Sequence, residues 1–325
     1  MIATRYLKVD AQHPDPERIS QAAQLICQGE LVAFPTETVY GLGAAALQAD
    51  AAAKIFAAKG RPAEHPLLVH ISQMEQVKML VTEIPPEARR LMEHFWPGPL
   101  SIILPAREEV PEIVRGGSSG VGLRMPSHPV AIALINAAGP LAAPSANLYG
   151  RPSPTQADHV RTDLDGRIAA VLDAGETGSG LESTVLDLNH NFRILRRGGI
   201  PVEKIEALLG IRIGLPEPAV ENYNSPVQVL LNQNRSELVQ RTEGLQQANK
   251  RAGLVRVSES KQDYPCRFAK EYTLKLDGLG QSFFTILRDA EQEQIDILLF
   301  EPLDESNNRL SEAMLDRINR AVFRK

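Results

Sequence analysis

From about residue 15 to residue 210 this chain alternates short apolar runs with segments of helical period, a pattern that admits few architectures. The runs are LVAFP (Leu31–Pro35), LLVHI (Leu67–Ile71), LSIILP (Leu100–Pro105), VGLRMP (Val121–Pro126), LAAPSA (Leu141–Ala146), IAAVLD (Ile168–Asp173) and STVLDL (Ser183–Leu188). Each has the length of a buried strand. Asp15-Pro16 reads as an N-cap and first helical residue. Ile19, Ala22, Ala23 and Ile26 follow at helical spacing, and Gly29 can end that helix. Further helices are predicted from Asp50 to a stop at Gly60, over about 86–95, between Pro129 and Gly139, and over Pro201–Gly210. TETVYGLG (Thr36–Gly43) reads as a polar loop with glycines.

The pattern then breaks. GLPEPAVENYNSP (Gly214–Pro226) has no periodic face and reads as a linker. Beyond it lie a polar helix near 235–250, strands at GLVRV and YTLKL, a helix at SFFTILRDAEQEQ, a strand at DILLFEP and a helix at SEAMLDRINRAVF. The expected organisation is an α/β domain over 1–211, a linker over 212–234, and a smaller α/β domain over 235–325, parallel in part where helices cross over.

A formal net charge of −5 excludes a chain that binds polyanions over its whole surface, so any phosphate or RNA site must be a local basic cluster. Cys27 and Cys266 are too far apart in sequence for a metal-ligand spacing and fit buried free thiols in a reducing compartment. The start MIATRYLKVD carries no signal-peptide pattern, and no apolar run approaches membrane-spanning length, so the expected location is the cytoplasm. P-loop, HExxH and CxxC strings are absent from the sequence, and GGSSG (Gly116–Gly120) matches GxSxG without the strand before it and helix after it that make a nucleophile elbow, which disfavours the enzyme classes these strings mark.

Two distant polar strings could carry chemistry. KGRP (Lys59–Pro62) closes a predicted helix, and SAN (Ser145–Asn147) follows a predicted strand. Alone, Lys59 and Arg61 could merely complement a helix dipole, and Ser145 and Asn147 could merely form a turn. Together, Lys offers a point charge, Arg a fork of donors and Gly a close backbone approach for phosphate, while Ser and Asn offer polar groups at a strand end, where ligands of open α/β sheets bind. Arg124 interrupts an apolar run and needs a partner, either an edge-strand ion pair or a ligand carboxylate. His70 ends a strand, as structural histidines often do. Arg196 and Arg197 precede two glycines and read as surface charge or a second phosphate contact.

The strings PTETVYGLG, KIFAAKGRPAEHPLLVH, WPGPLS, VGLRMPSHP, APSANLYGRPSPT, ESTVLDL and LRRGGI, in this order, resemble the YrdC-like threonylcarbamoyl-adenylate synthase family over about residues 10 to 210. Its Lys-x-Arg and Ser-x-Asn signature stands here as Lys59, Arg61, Ser145 and Asn147. The resemblance implies a twisted mixed sheet with a concave basic cleft, plus a smaller Rossmann-like α/β C-terminal domain. It implies that L-threonine, bicarbonate or CO2, and ATP give threonylcarbamoyl-AMP and pyrophosphate. The product passes to a transferase complex that modifies tRNA.

By the same resemblance Thr38, His70, Arg124, Ser145 and Ser183 line a threonine pocket. Lys59, Arg61, His65, Asn147, Thr155 and Arg196 surround ATP, with Lys59 and Arg61 catalytic and Mg²⁺ held through the phosphates rather than by protein ligands. His65 stands where many members carry Asn. The C-terminal part resembles the accessory domain of the long form, but ENYNSPVQVLLN replaces that form's SPGM…HYAP-type linker, with Tyr223 as a substitute aromatic. The alternative reading is a non-catalytic RNA-binding or ribosome-maturation module. On the enzyme reading any RNA binding is weak; tight, steeply salt-dependent RNA binding without ATP would support the alternative.

Overall fold

The computed structural model describes residues 3–189, 192–215, 223–257, 262–275, 277–302 and 312–322. It divides into two compact units, one of Met1–Tyr149 and Ser153–Glu217, the other of Gly150–Pro152 and Pro218–Lys325.

In chain order the first unit contains β1 (Arg5–Lys8), α1 (Pro16–Cys27), β2 (Val32–Pro35), β3 (Tyr40–Ala45), α2 (Ala49–Lys59), β4 (Leu68–His70), α3 (Val77–Leu80), α4 (Pro86–Phe95) and β5 (Leu100–Pro105). It continues with α5 (Glu112–Arg115), β6 (Gly120–Arg124), α6 (Pro129–Ala138), β7 (Leu141–Ala142), α7 (Ala157–Leu164), β8 (Ala170–Asp173), β9 (Thr184–Asp187), β10 (Arg193–Arg196) and α8 (Val202–Leu209). The strands form one mixed sheet in the order β1-β8-β2-β3-β7-β4-β6-β5-β9-β10.

Alternation along β2 shows how the sheet divides its two cores. Val32 and Phe34 face a core shared with α1 and α6, whereas Leu31 and Ala33 join the larger core on the other face. Helix α1 starts where Asp15 accepts hydrogen bonds from the backbone N–H groups of Glu17 and Arg18, and it buries Ile19, Ala22, Ala23 and Ile26.

Where the sequence suggested a loop, Tyr40–Ala45 is a strand, paired antiparallel with β2. Its glycines concealed it: a Cβ on Gly43 would lie 2.9 Å from the Phe34 ring, so the strand gives up a side chain for close packing. Five short or polar elements, β1, α3, α5, α7 and β10, were also not expected.

The second unit contains β11 (Gln228–Leu231), α9 (Arg235–Gln247), β12 (Ala252–Val257), β13 (Lys270–Leu274), α10 (Leu279–Gln292), β14 (Ile297–Phe300) and α11 (Glu312–Ala321). Its sheet runs β11-β14-β12-β13 and is parallel throughout rather than in part. β11 lies inside the stretch expected to be linker. Residues 216–222 of that stretch, and 311 and 323 of the expected last helix, lie outside the described residues.

Gly150–Pro152 is built into this unit. Arg151 makes a two-pronged contact to the Glu291 carboxylate at 2.9 and 2.7 Å, Arg288 donates to the Pro152 carbonyl at 2.6 Å, and the Asn224 N–H donates to the Gly150 carbonyl at 2.7 Å. Tyr223 packs edge-on to Phe284 at 5.8 Å, with the Arg320 guanidinium 4.9 Å from its ring centre. That places the substitute aromatic in the packing of the second unit. The cysteines are free, as expected, but not buried: Cys27 is exposed and Cys266 partly so.

Candidate active site

KGRP and SAN meet. Helix α2 ends at Lys59, and Gly60 takes the left-handed conformation (φ 63°) that turns the chain out of the helix. PSAN lies along β3, with the Ala146 N–H donating to the Tyr40 carbonyl at 2.8 Å and a bridge between Gly41 and Ser145. The Lys59 ammonium then donates to the carbonyls of both Ser145 and Asn147 at 2.5 Å, while the Tyr149 N–H donates to the Lys59 carbonyl at 2.8 Å. Lys59 is therefore not at an exposed helix end: it is 2% exposed and ties the two strings together. Burial, with Arg61 adding like charge and Asp163 opposing it, pulls its pKa down to about 7.

Arg61 and His65 converge on Tyr149. The guanidinium carbon lies 6.0 Å from that ring's centre, and the imidazole meets the ring edge-on at 5.6 Å. Arg61 also donates to the Pro66 carbonyl at 3.2 Å. Asn147 is buried and donates through its amide to the Leu148 carbonyl at 2.7 Å. Thr155 is buried beside His159, whose Nδ1 accepts from the Thr155 N–H at 3.2 Å.

A second cluster surrounds Arg124. Strand β6 runs between β4 and β5, so of the two readings of Arg124 the edge-strand one does not hold as to position, although Arg124 does meet a carboxylate. With the side chain 4% exposed, the guanidinium donates to the Thr38 hydroxyl at 3.0 Å and the Gly98 carbonyl at 3.3 Å, and meets a Glu37 carboxylate oxygen at 2.7 Å. His70 is Arg124's partner in the β4–β6 register. Burial first, then the nearby Arg124 charge, drives its pKa down to about 3, which keeps the imidazole neutral.

Ser183 shares a 2.7 Å hydrogen bond with Ser101, and Arg196 donates to both the Ser183 hydroxyl and carbonyl at 3.0 Å. Gly198 permits this corner: a Cβ there would fall 2.2–2.4 Å from the backbone of Glu182, Ser183 and Thr184. Arg196 thus sits against the Ser183 hydroxyl rather than on an open surface.

Glu37, Ser101 and Tyr149 were missed as candidates. Only Glu37 had a sequence sign, a carboxylate between two threonines. Among the described residues no group of three or more His, Cys, Asp or Glu gathers to hold a metal, and no helix is long and apolar enough to cross a membrane.

Known proteins resemble the chain over nearly its whole length. The Sua5/YciO/YrdC family model, described as telomere recombination, matches residues 24–198. The model described as threonylcarbamoyl-AMP synthase, C-terminal domain, matches residues 201–322. The chain is 39% identical over 326 residues to a threonylcarbamoyl-AMP synthase of Bacillus subtilis, covering 95% of this chain and 93% of the relative. It is 38% identical to the enzyme of that name from Pyrococcus abyssi, covering 94% of each. The crystal structure of P. abyssi Sua5 complexed with L-threonine superposes with a TM-score of 0.88 at 36% identity, covering 98% of this chain and 97% of that one.

These findings set the chain among ATP-using nucleotidyltransferase-type enzymes with a large mixed sheet and a smaller parallel one. Within that class it belongs to the threonylcarbamoyl-AMP synthase family, in the two-domain form.

Proposed function

We propose that the chain joins L-threonine, bicarbonate or CO2, and ATP into threonylcarbamoyl-AMP and pyrophosphate, for use by a transferase complex that modifies tRNA. The observation that carries this reading is the Lys59 ammonium bonded to both Ser145 and Asn147, which makes one site of two strings far apart in sequence.

The Arg124 cluster offers what an amino acid needs. The guanidinium faces the carboxylate, where charge-assisted contacts are strongest, and Thr38, Ser145 and Ser183 offer hydroxyls. The neutral His70 can exchange hydrogen bonds without adding charge. The Lys59 group suits a triphosphate. Arg61 supplies directed donors, Asn147 and Thr155 polar groups, and Tyr149, braced edge-on by His65, an aromatic ring beside them.

Phosphate charge arriving beside Lys59 raises its pKa again, so the buried amine is fully cationic when the α-phosphate is attacked. The threonine N-carboxylate is the attacking group and pyrophosphate the leaving group, which leaves the protein to position the two and stabilise charge. Mg²⁺, which typically relies on phosphate oxygens and water, would enter with the nucleotide. Mg²⁺ bound that way would neutralise charge on the triphosphate. A cytoplasmic setting would suit this role.

The test is to incubate the protein with ATP, Mg²⁺, threonine and labelled bicarbonate and to analyse products by mass spectrometry. A labelled threonylcarbamoyl-AMP that disappears without threonine is expected. Folded protein that binds ATP yet forms no adduct would overturn the reading.

A further inference from the structure

The threonine cluster contains an anion that the reading above leaves without a task. Glu37 lies between Thr36 and Thr38, both buried, in the turn joining β2 to β3. Its backbone carbonyl is fixed by the Ser179 N–H at 2.9 Å and the Ser179 hydroxyl at 3.2 Å. Its side chain, 21% exposed as a whole, turns toward Arg124.

The 2.7 Å approach to the guanidinium is an ion pair by distance, but its angles do not make a hydrogen bond. Both Glu37 carboxylate oxygens are shielded from solvent, and neither accepts a hydrogen bond among the described residues. Carboxylate oxygens removed from water in this way call for donors. Side by side, a buried cation and a donor-poor anion match a ligand that carries a cationic and an anionic group on one carbon, which is the charge pattern of an α-amino acid zwitterion.

Resting on the threonine-using reaction above, we infer that Glu37 receives the α-ammonium of the substrate while Arg124 receives its carboxylate, and that Glu37 takes the first proton from that nitrogen. The freed nitrogen lone pair forms the N–C bond to CO2, and a C=O π pair moves onto oxygen to give the carboxylate. The second N–H proton leaves to solvent. The same negative charge disfavours phosphate at this end of the site, which keeps nucleotide and amino acid in separate places.

The test compares binding of threonine with that of its 2-hydroxy analogue, 2,3-dihydroxybutanoate, in which a neutral hydroxyl replaces the ammonium while the carboxylate, the 3-hydroxyl and the methyl group are kept. Calorimetry on the full chain and on Glu37→Gln is expected to show at least tenfold weaker threonine binding in the variant and unchanged analogue binding. Equal weakening of both ligands would mean that Glu37 only steadies Arg124, and unchanged binding of both would remove any role; either result overturns the inference. Wild-type protein supplies a measurement independent of the variant's folding: it should bind threonine at least tenfold tighter than the analogue, and equal affinities would overturn the inference. Labelled adduct formation by wild type, measured alongside, distinguishes a failure of Glu37's role from a failure of the reaction.

Discussion

Replacing Lys59 by Met should make the stability difference between variant and wild type depend on pH in a calculable way. The wild-type amine titrates near 7 in the folded protein against an ordinary value of 10.5. Between those values the unfolded chain binds more protons than the folded one, so stability rises with pH through that window. This contribution is fully present above about 10.5 and is lost as pH falls toward 7. Each unit of the window is worth about 1.4 kcal/mol, so from pH 6 to pH 9 wild type should gain about 2–3 kcal/mol that the Met variant does not. Met keeps most of the stem volume but leaves the Ser145 and Asn147 carbonyls without the Lys59 donor, at about 1–3 kcal/mol each. That penalty shifts the variant at every pH and does not alter the slope of the difference. The assay is urea unfolding at pH 6, 7.5 and 9, followed by fluorescence of Trp96, the chain's single tryptophan, which reports on the first unit. Other titrating groups occur in both proteins and cancel in the difference. A difference that stays constant with pH would refute the argument that burial discharges this lysine.

Arg124→Lys keeps a positive charge but loses the fork that reaches Thr38, Gly98 and Glu37; threonine KM should rise roughly 10- to 100-fold with ATP affinity unchanged, as steady-state kinetics would show. Gly198→Ala forces a Cβ into the backbone at Glu182–Thr184 and should destabilise by about 1–3 kcal/mol or more while disturbing Ser183, readable as a lower urea midpoint together with a higher threonine KM. Asp15→Ala removes the α1 cap and should cost about 1 kcal/mol without changing kinetics, since α1 lies outside both site clusters.

The sequence made the larger design readable where packing is periodic. Helix α1 announces itself through cap chemistry and apolar spacing, α4 through apolar spacing, and β2, β5 and β6 through continuous apolar runs. It hid elements whose residues answer to neighbours elsewhere in the chain. The glycines of β3 serve Phe34. The edge strand β1 buries a single side chain, Leu7, and α7 is largely polar. β11 was masked by the prolines and asparagines just before it. Site residues follow the same division. Arg124 was visible as a charge within an apolar run, and Lys59 as part of a motif, although its burial was not foreseeable from its place at a helix end. Ser101 and Glu37 gained significance only when strand pairing and the β2–β3 turn set them beside Ser183 and Arg124.

The three residues Gly150–Pro152 give the chain an order of assembly. They leave the ribosome soon after Asn147, yet their partners Arg288 and Glu291 are made on the order of ten seconds later at ordinary rates of synthesis. The nascent first unit can build its sheet and close β9 on β5 during that interval. The turn between Tyr149 and Ser153 can take its final packing only after α10 has been translated. A segment translated before the sheet of the second unit is therefore fastened only once a late helix of that unit has been made.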